Sequence, residues 1–121
     1  MSGDGLKAGA PGGFGVRLVT AQSLPGEAID EGEMVYACAV SGANIVRDMR
    51  EVITNTFGGA MTRYEHVLDL TIERALTTLK ARAAAADYDG VLGVRISHPK
   101  ITDGAIEVVV AGTGFRRRSS R

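Results

Sequence analysis

The chain has 121 residues, 45% hydrophobic and 23% charged, with 14 Lys and Arg against 14 Asp and Glu. That length suits one domain burying roughly two thirds of its surface, which is enough for one modest core. The balanced charge argues against broad nucleic-acid binding, which needs a basic field, and it removes the repulsion that keeps copies apart.

Residues 1–13 hold five glycines and one proline and read as a flexible leader. They have no basic start and no apolar run, so they do not read as a secretory signal. From Phe14 the pattern alternates: Phe14, Val16 and Leu18 on one side, Gly15 and Arg17 on the other, a short strand. Residues 23–33 are polar with a Pro25–Gly26 turn and read as a loop. Residues 34–40, MVYACAV, are apolar on both faces and predict a strand covered on both sides.

Helical spacing of Ile45, Met49, Val52, Ile53 and Phe57 predicts a helix over 44–57, with Asn44 as its N-cap and Gly58–Gly59 as its stop. A longer helix is expected over 62–87, with Leu68, Ile72, Ala75, Leu79 and Ala83 as its apolar stripe and Thr62–Glu65 as a capping box. Strands follow at 91–97 and 105–115, joined as an antiparallel hairpin through Thr102–Asp103–Gly104. The order is β-β-α-α-β-β, a two-layer α+β domain over 14–115 with an antiparallel sheet on the long helix. Residues 116–121 read as a solvated, disordered basic tail.

Cys38, the single cysteine, cannot form an internal disulfide and offers no CxxC zinc spacing. Flanked by Ala37 and Ala39 in mid-strand, it reads as a buried, inert thiol. A reducing cytoplasm suits it. No segment has the apolar length of a membrane helix. His66 and Asp69 lie three apart on the long helix and Glu73 one turn further, a partial metal-ligand set that also reads as a solvated helix face. Glu65, Asp69 and Glu73 form an acidic row at four-residue spacing, for which Arg47 and Arg50 are candidate partners. GxSxG, P-loop and HExxH motifs are absent. The Gly58–Gly59 pair before a helix start could seat a phosphate, but helix termination explains it fully.

The run Gly42-Ala43-Asn44, Arg47-Asp48, Gly58-Gly59, Tyr64-Glu65 resembles the YbjQ-like family, also called "putative heavy-metal-binding domain" proteins. VLGV at 91–94 and AGTG at 111–114 are similar to that family's later strands. The resemblance covers residues 34–115. It implies a dodecin-like α+β subunit assembled as a ring, commonly a pentamer, with no established activity. It implies that Asn44, Arg47, Asp48, Tyr64 and Glu65 carry the family's shared polar role, at a ligand site or a subunit interface. The sequence departs from the pattern where VSGAN is short, where Cys38 replaces a strand glycine, and where Asp87 replaces a glycine after the helix. Thr71-Ile72 stands where the family has an Ala-Arg pair, which takes away a partner for a carboxylate and alters a shared polar pocket.

The expectation is a homo-oligomeric ring acting as a non-enzymatic scaffold or small-ligand module, with itself as partner and no cofactor, nucleic acid or membrane. The alternatives are a metal-binding protein using His66, Asp69 and Glu73, and an enzyme on a phosphorylated or nucleotide substrate with Asp48 or Glu65 as general base.

Overall fold

The computed structural model describes residues 15–42, 60–99 and 105–118. Among the described residues four strands and one helix follow in the order β1 (Arg17–Leu18), β2 (Ile29–Ser41), α1 (Ala60–Ala85), β3 (Gly90–Ser97), β4 (Ile106–Arg117). The sheet order is β1-β3-β4-β2. β4 is antiparallel to both β2 and β3, while β1 is parallel to β3. The architecture is α+β, and the sheet is mixed where an antiparallel one was expected. β1 and β2 lie on opposite edges and run the same way, so residues 19–28 connect two edges of the sheet instead of turning a hairpin.

Strand β2 begins at Ile29, inside the segment read as a loop. The polar run Asp30–Glu33 joins the sheet because its partners are the basic end of β4: Ile29 faces Arg117 and Asp30 faces Arg116. Arg116 and Arg117 thus belong to β4 and not to a tail, and Arg118 donates to Asp30 at 2.8 Å. The helix expected at 44–57 and the Thr102–Gly104 turn lie outside the described residues.

Helix α1 packs on β2 and β4. Its buried seam is Val67, Thr71, Ala75, Leu79 and Ala83, with Tyr64, Leu68, Ile72 and Leu76 partly buried beside it. Four-residue steps keep that row nearly in line along the helix. The predicted stripe caught Ala75, Leu79 and Ala83 but placed Leu68 and Ile72 at the centre, where Val67 and Thr71 sit. The expected capping box fails, because the backbone at Thr62 is already helical two residues past Ala60. The facing sheet residues are Val35, Ala37 and Ala39 of β2 and Ile106, Val108 and Val110 of β4, all buried. Alanines on both layers let helix and sheet approach closely. Burying Leu79 alone stabilises the fold by about 1.5–3 kcal/mol.

One polar chain crosses this core. The Thr71 hydroxyl donates to the Val67 carbonyl at 2.7 Å, so the Ser41 hydroxyl, 2.6 Å from Thr71, donates to it in turn. Ser41 then accepts from Arg74 at 3.4 Å. Both hydroxyls are buried and both are satisfied. Thr71 therefore joins the helix to the end of β2.

Helix α1 ends in a Schellman motif. Tyr88 N–H donates to the Ala83 carbonyl and Asp87 N–H to the Ala84 carbonyl, both at 2.9 Å. Asp87 takes the left-handed position at φ 72°, where glycine carries no Cβ penalty. Arg116 donates to the Ala86 carbonyl at 2.9 Å and to the Asp87 carbonyl at 3.1 Å, with its guanidinium 4.5 Å from the centre of the Tyr88 ring. The Tyr88 ring lies against Gly114 and Gly32, where an added Cβ on either would run into it, and its hydroxyl accepts from Glu33 N–H at 2.7 Å.

Two outcomes follow from these contacts. Thr71→Val leaves the Ser41 hydroxyl without its acceptor and lowers unfolding free energy by about 1–3 kcal/mol, and adding Ser41→Ala costs less than the sum of the single changes. Asp87→Gly relieves the left-handed residue and raises stability by up to about 1 kcal/mol. Denaturant titration monitored by circular dichroism reads both.

Candidate functional site

Because a strand alternates, β2 presents its second row to the face away from α1. Met34, Tyr36 and Val40 are 69%, 52% and 50% exposed, and Cys38 between them is exposed as well. Register sets Tyr36 beside Ala111, Cys38 beside Val109 and Val40 beside Glu107 on β4. Arg95 and Ser97 of β3 extend the same face beside Ala111 and Val109. The strand expected to be covered on both sides is therefore covered on one among the described residues. The buried-thiol reading of Cys38 is overturned with it: Ala37 and Ala39 point to the helix, and Cys38 points the other way.

This outer face is not bare along its whole length. Leu92 and Phe115 lie on it by register and are buried. That end is also tied by Glu27, which pairs with Arg17 at 3.0 Å and with Arg117 at 3.8 Å. The uncovered part begins at Met34 and runs to Val40, an apolar field with Glu107 and Arg95 at its margins. Exposed apolar area of this kind marks an interaction surface more often than scattered single residues do. A groove of about 330 Å³ adjoins it, between Met34 and Tyr36 on one side and Arg82, Ala86 and Tyr88 on the other.

The residues singled out from the family motif separate. Tyr64 packs against the core, while its neighbour Glu65 is exposed. Asn44, Arg47 and Asp48 lie outside the described residues, as do Arg50 and Gly58–Gly59. His66, Asp69 and Glu73 are all exposed on α1. Among the described residues, no group of three or more His, Cys, Asp or Glu is placed to hold a metal ion. His98 has its Nδ1 2.6 Å from the Glu107 carbonyl, a strand-end contact. Among the described residues no helix is long and apolar enough to cross a membrane.

The family model described as "Putative heavy-metal-binding" matches residues 16–117. The chain belongs to this YbjQ-like family. A UPF0145 protein from Halalkalibacterium halodurans is 35% identical over 103 residues, covering 83% of this chain and 96% of that one. A UPF0145 protein from Psychrobacter arcticus is 30% identical over 102 residues, and the match spans 84% of this chain and 65% of that relative's length. In fold the YbjQ-like chain is similar to the crystal structure of a DUF74-family protein of unknown function from Pediococcus pentosaceus, with a TM-score of 0.60 at 14% identity, covering 86% of this chain and 99% of that one.

The outer-face residues escaped the sequence reading although the two-faced apolarity of 34–40 was visible. Alternation alone assigns two rows to a strand, and only the position of α1 decides which row is covered. For the exposed trio on α1 the expected outcome is plain. His66→Ala and Asp69→Asn each change stability by no more than about 0.5 kcal/mol, and calorimetric titration with zinc or nickel gives the same result for both variants as for the parent chain.

Proposed function

We propose that this YbjQ-like protein is a self-associating subunit, a homo-oligomeric scaffold or small-ligand module whose copies close over the outer face of the sheet. The observation that carries the reading is the apolar row Met34, Tyr36, Cys38 and Val40, uncovered among the described residues. A second copy suits it for two reasons. Among the described residues the margins of the uncovered part carry an acid, Glu107, and a base, Arg95, so it is complementary in charge to a rotated copy of itself. The chain has no net charge to hold copies apart. Removing each half-exposed apolar side chain from water contributes about 1 kcal/mol, and an assembly repeats that gain at every contact. A closed ring of copies, as the family resemblance implies, uses such a face without leaving an open end.

The family description favours a second reading, in which the protein binds a metal ion. Among the described residues no single chain offers a ligand cluster. On this reading a site is built from copies brought together, and it depends on the assembly.

Light scattering at micromolar concentration tests the proposal. The expected particle is several times the 12.7 kDa subunit mass. Tyr36→Glu weakens association by at least about 2 kcal/mol, and Cys38 then reacts faster with a thiol reagent while circular dichroism stays unchanged. A parent chain that sediments as a monomer, with Cys38 freely reactive, overturns the reading.

A further inference from the structure

Among the described residues β2 is an edge strand, thirteen residues long and paired only with β4. A long edge presents unpaired backbone groups and is a template for another strand. Two arginines from α1 reach this one. Arg82 Nη1 donates to the Tyr36 carbonyl at 2.9 Å, and Arg74 Nη2 donates to the Val40 carbonyl at 3.2 Å. The guanidinium of Arg82 also lies 5.3 Å from the centre of the Tyr36 ring.

The spacing of these contacts is matched. Eight residues of helix separate the arginines, about 12 Å of rise. Four residues of strand separate the carbonyls, about 13 Å. Helix and strand run in opposite directions, so the earlier arginine meets the later carbonyl, and both contacts close together. Tyr36 and Val40 have the same parity on β2, and in an antiparallel ladder residues of one parity turn their backbone groups toward the partner while the other parity turns them away. Tyr36, Cys38 and Val40 are the outward set, and Ala37 and Ala39 are the set bonded to β4.

We infer that Arg74 and Arg82 are an edge guard. They occupy two of the carbonyls that an added strand would use as acceptors, those of Tyr36 and Val40, and set two positive charges along the rim. The strand they exclude is β2 of a second copy, entering antiparallel. That edge is self-complementary, because an antiparallel pair of identical strands matches each outward carbonyl with an outward N–H. Self-association is thereby directed to the outer face of the sheet and kept from the edge, where addition of strands would have no natural end. This role goes beyond the proposed assembly and is independent of it: the parent particle is the reference whatever its size.

The test is the double variant Arg74→Ala/Arg82→Ala in the full chain, beside Arg74→Lys/Arg82→Lys. In the alanine pair, sedimentation shifts at least twofold above the parent particle mass. Infrared spectra gain an intermolecular β-strand band. The lysine pair keeps charge on the rim and keeps the parent mass. An alanine pair that folds as the parent does and holds the parent mass overturns the inference. A second measurement needs no variant. In the parent chain the Cys38 amide exchanges with solvent at least tenfold faster than the Ala37 and Ala39 amides. Equal protection of Cys38 overturns the inference, since the edge would then already have a strand partner.

Discussion

Among the described residues one helix serves a sheet in which β2 and β4 carry apolar side chains on both faces. α1 runs antiparallel to β2 and meets its second half, from Thr71 at Ser41 to Arg82 at Tyr36. It can do so on one face only. Parity along β2 and β4 then sorts every residue: Val35, Ala37, Ala39, Val108 and Val110 into a core that excludes water, and Met34, Tyr36, Cys38 and Val40 onto the opposite surface. The small residues on the inner face bring the layers close and make that core dense. They leave nothing of this chain, among the described residues, to shield the row behind it.

The arginines take backbone carbonyls at the edge of the sheet and the end of the helix. Arg74 and Arg82 take carbonyls of the β2 edge, and Arg116 takes the last carbonyls of α1 while stacking on Tyr88. Each is a charged donor to a neutral backbone acceptor, a stronger bond than a neutral pair makes. The ion pairs of Glu27 with Arg17 and Arg117, and of Asp30 with Arg118, lie on exposed side chains and contribute about 0–1 kcal/mol apiece. In this fold, arginine acts more through backbone capping than through salt bridges.

Asp87 and Thr71 show how α1 accommodates polar residues at strained or buried positions. Asp87 stands in the left-handed position that glycine fills more cheaply, yet the Schellman bonds form and Arg116 lies across them. Thr71 stands inside the core, where its hydroxyl is satisfied within its own helix and by Ser41. At both positions local hydrogen bonds are joined by one from a residue distant in sequence, Ser41 at Thr71 and Arg116 at Asp87.

Much of the fold was legible in local pattern. Helical periodicity from Leu68 to Ala83 marked α1, a turn signal between two apolar runs marked the antiparallel β3–β4 pair, a run apolar on both faces marked the middle of β2, and the motif with its fixed spacing marked the YbjQ-like family. Those signals are short-range, so a single chain carries them. The parallel pairing of β1 with β3, the extension of β2 back to Ile29, and the recruitment of Arg116 and Arg117 into β4 were not legible, because each rests on a partner many residues away. Nor was the exposure of Cys38. Its neighbours and its alternation are the same whether a strand is covered on one side or two, and only the placement of α1 on one face decides which.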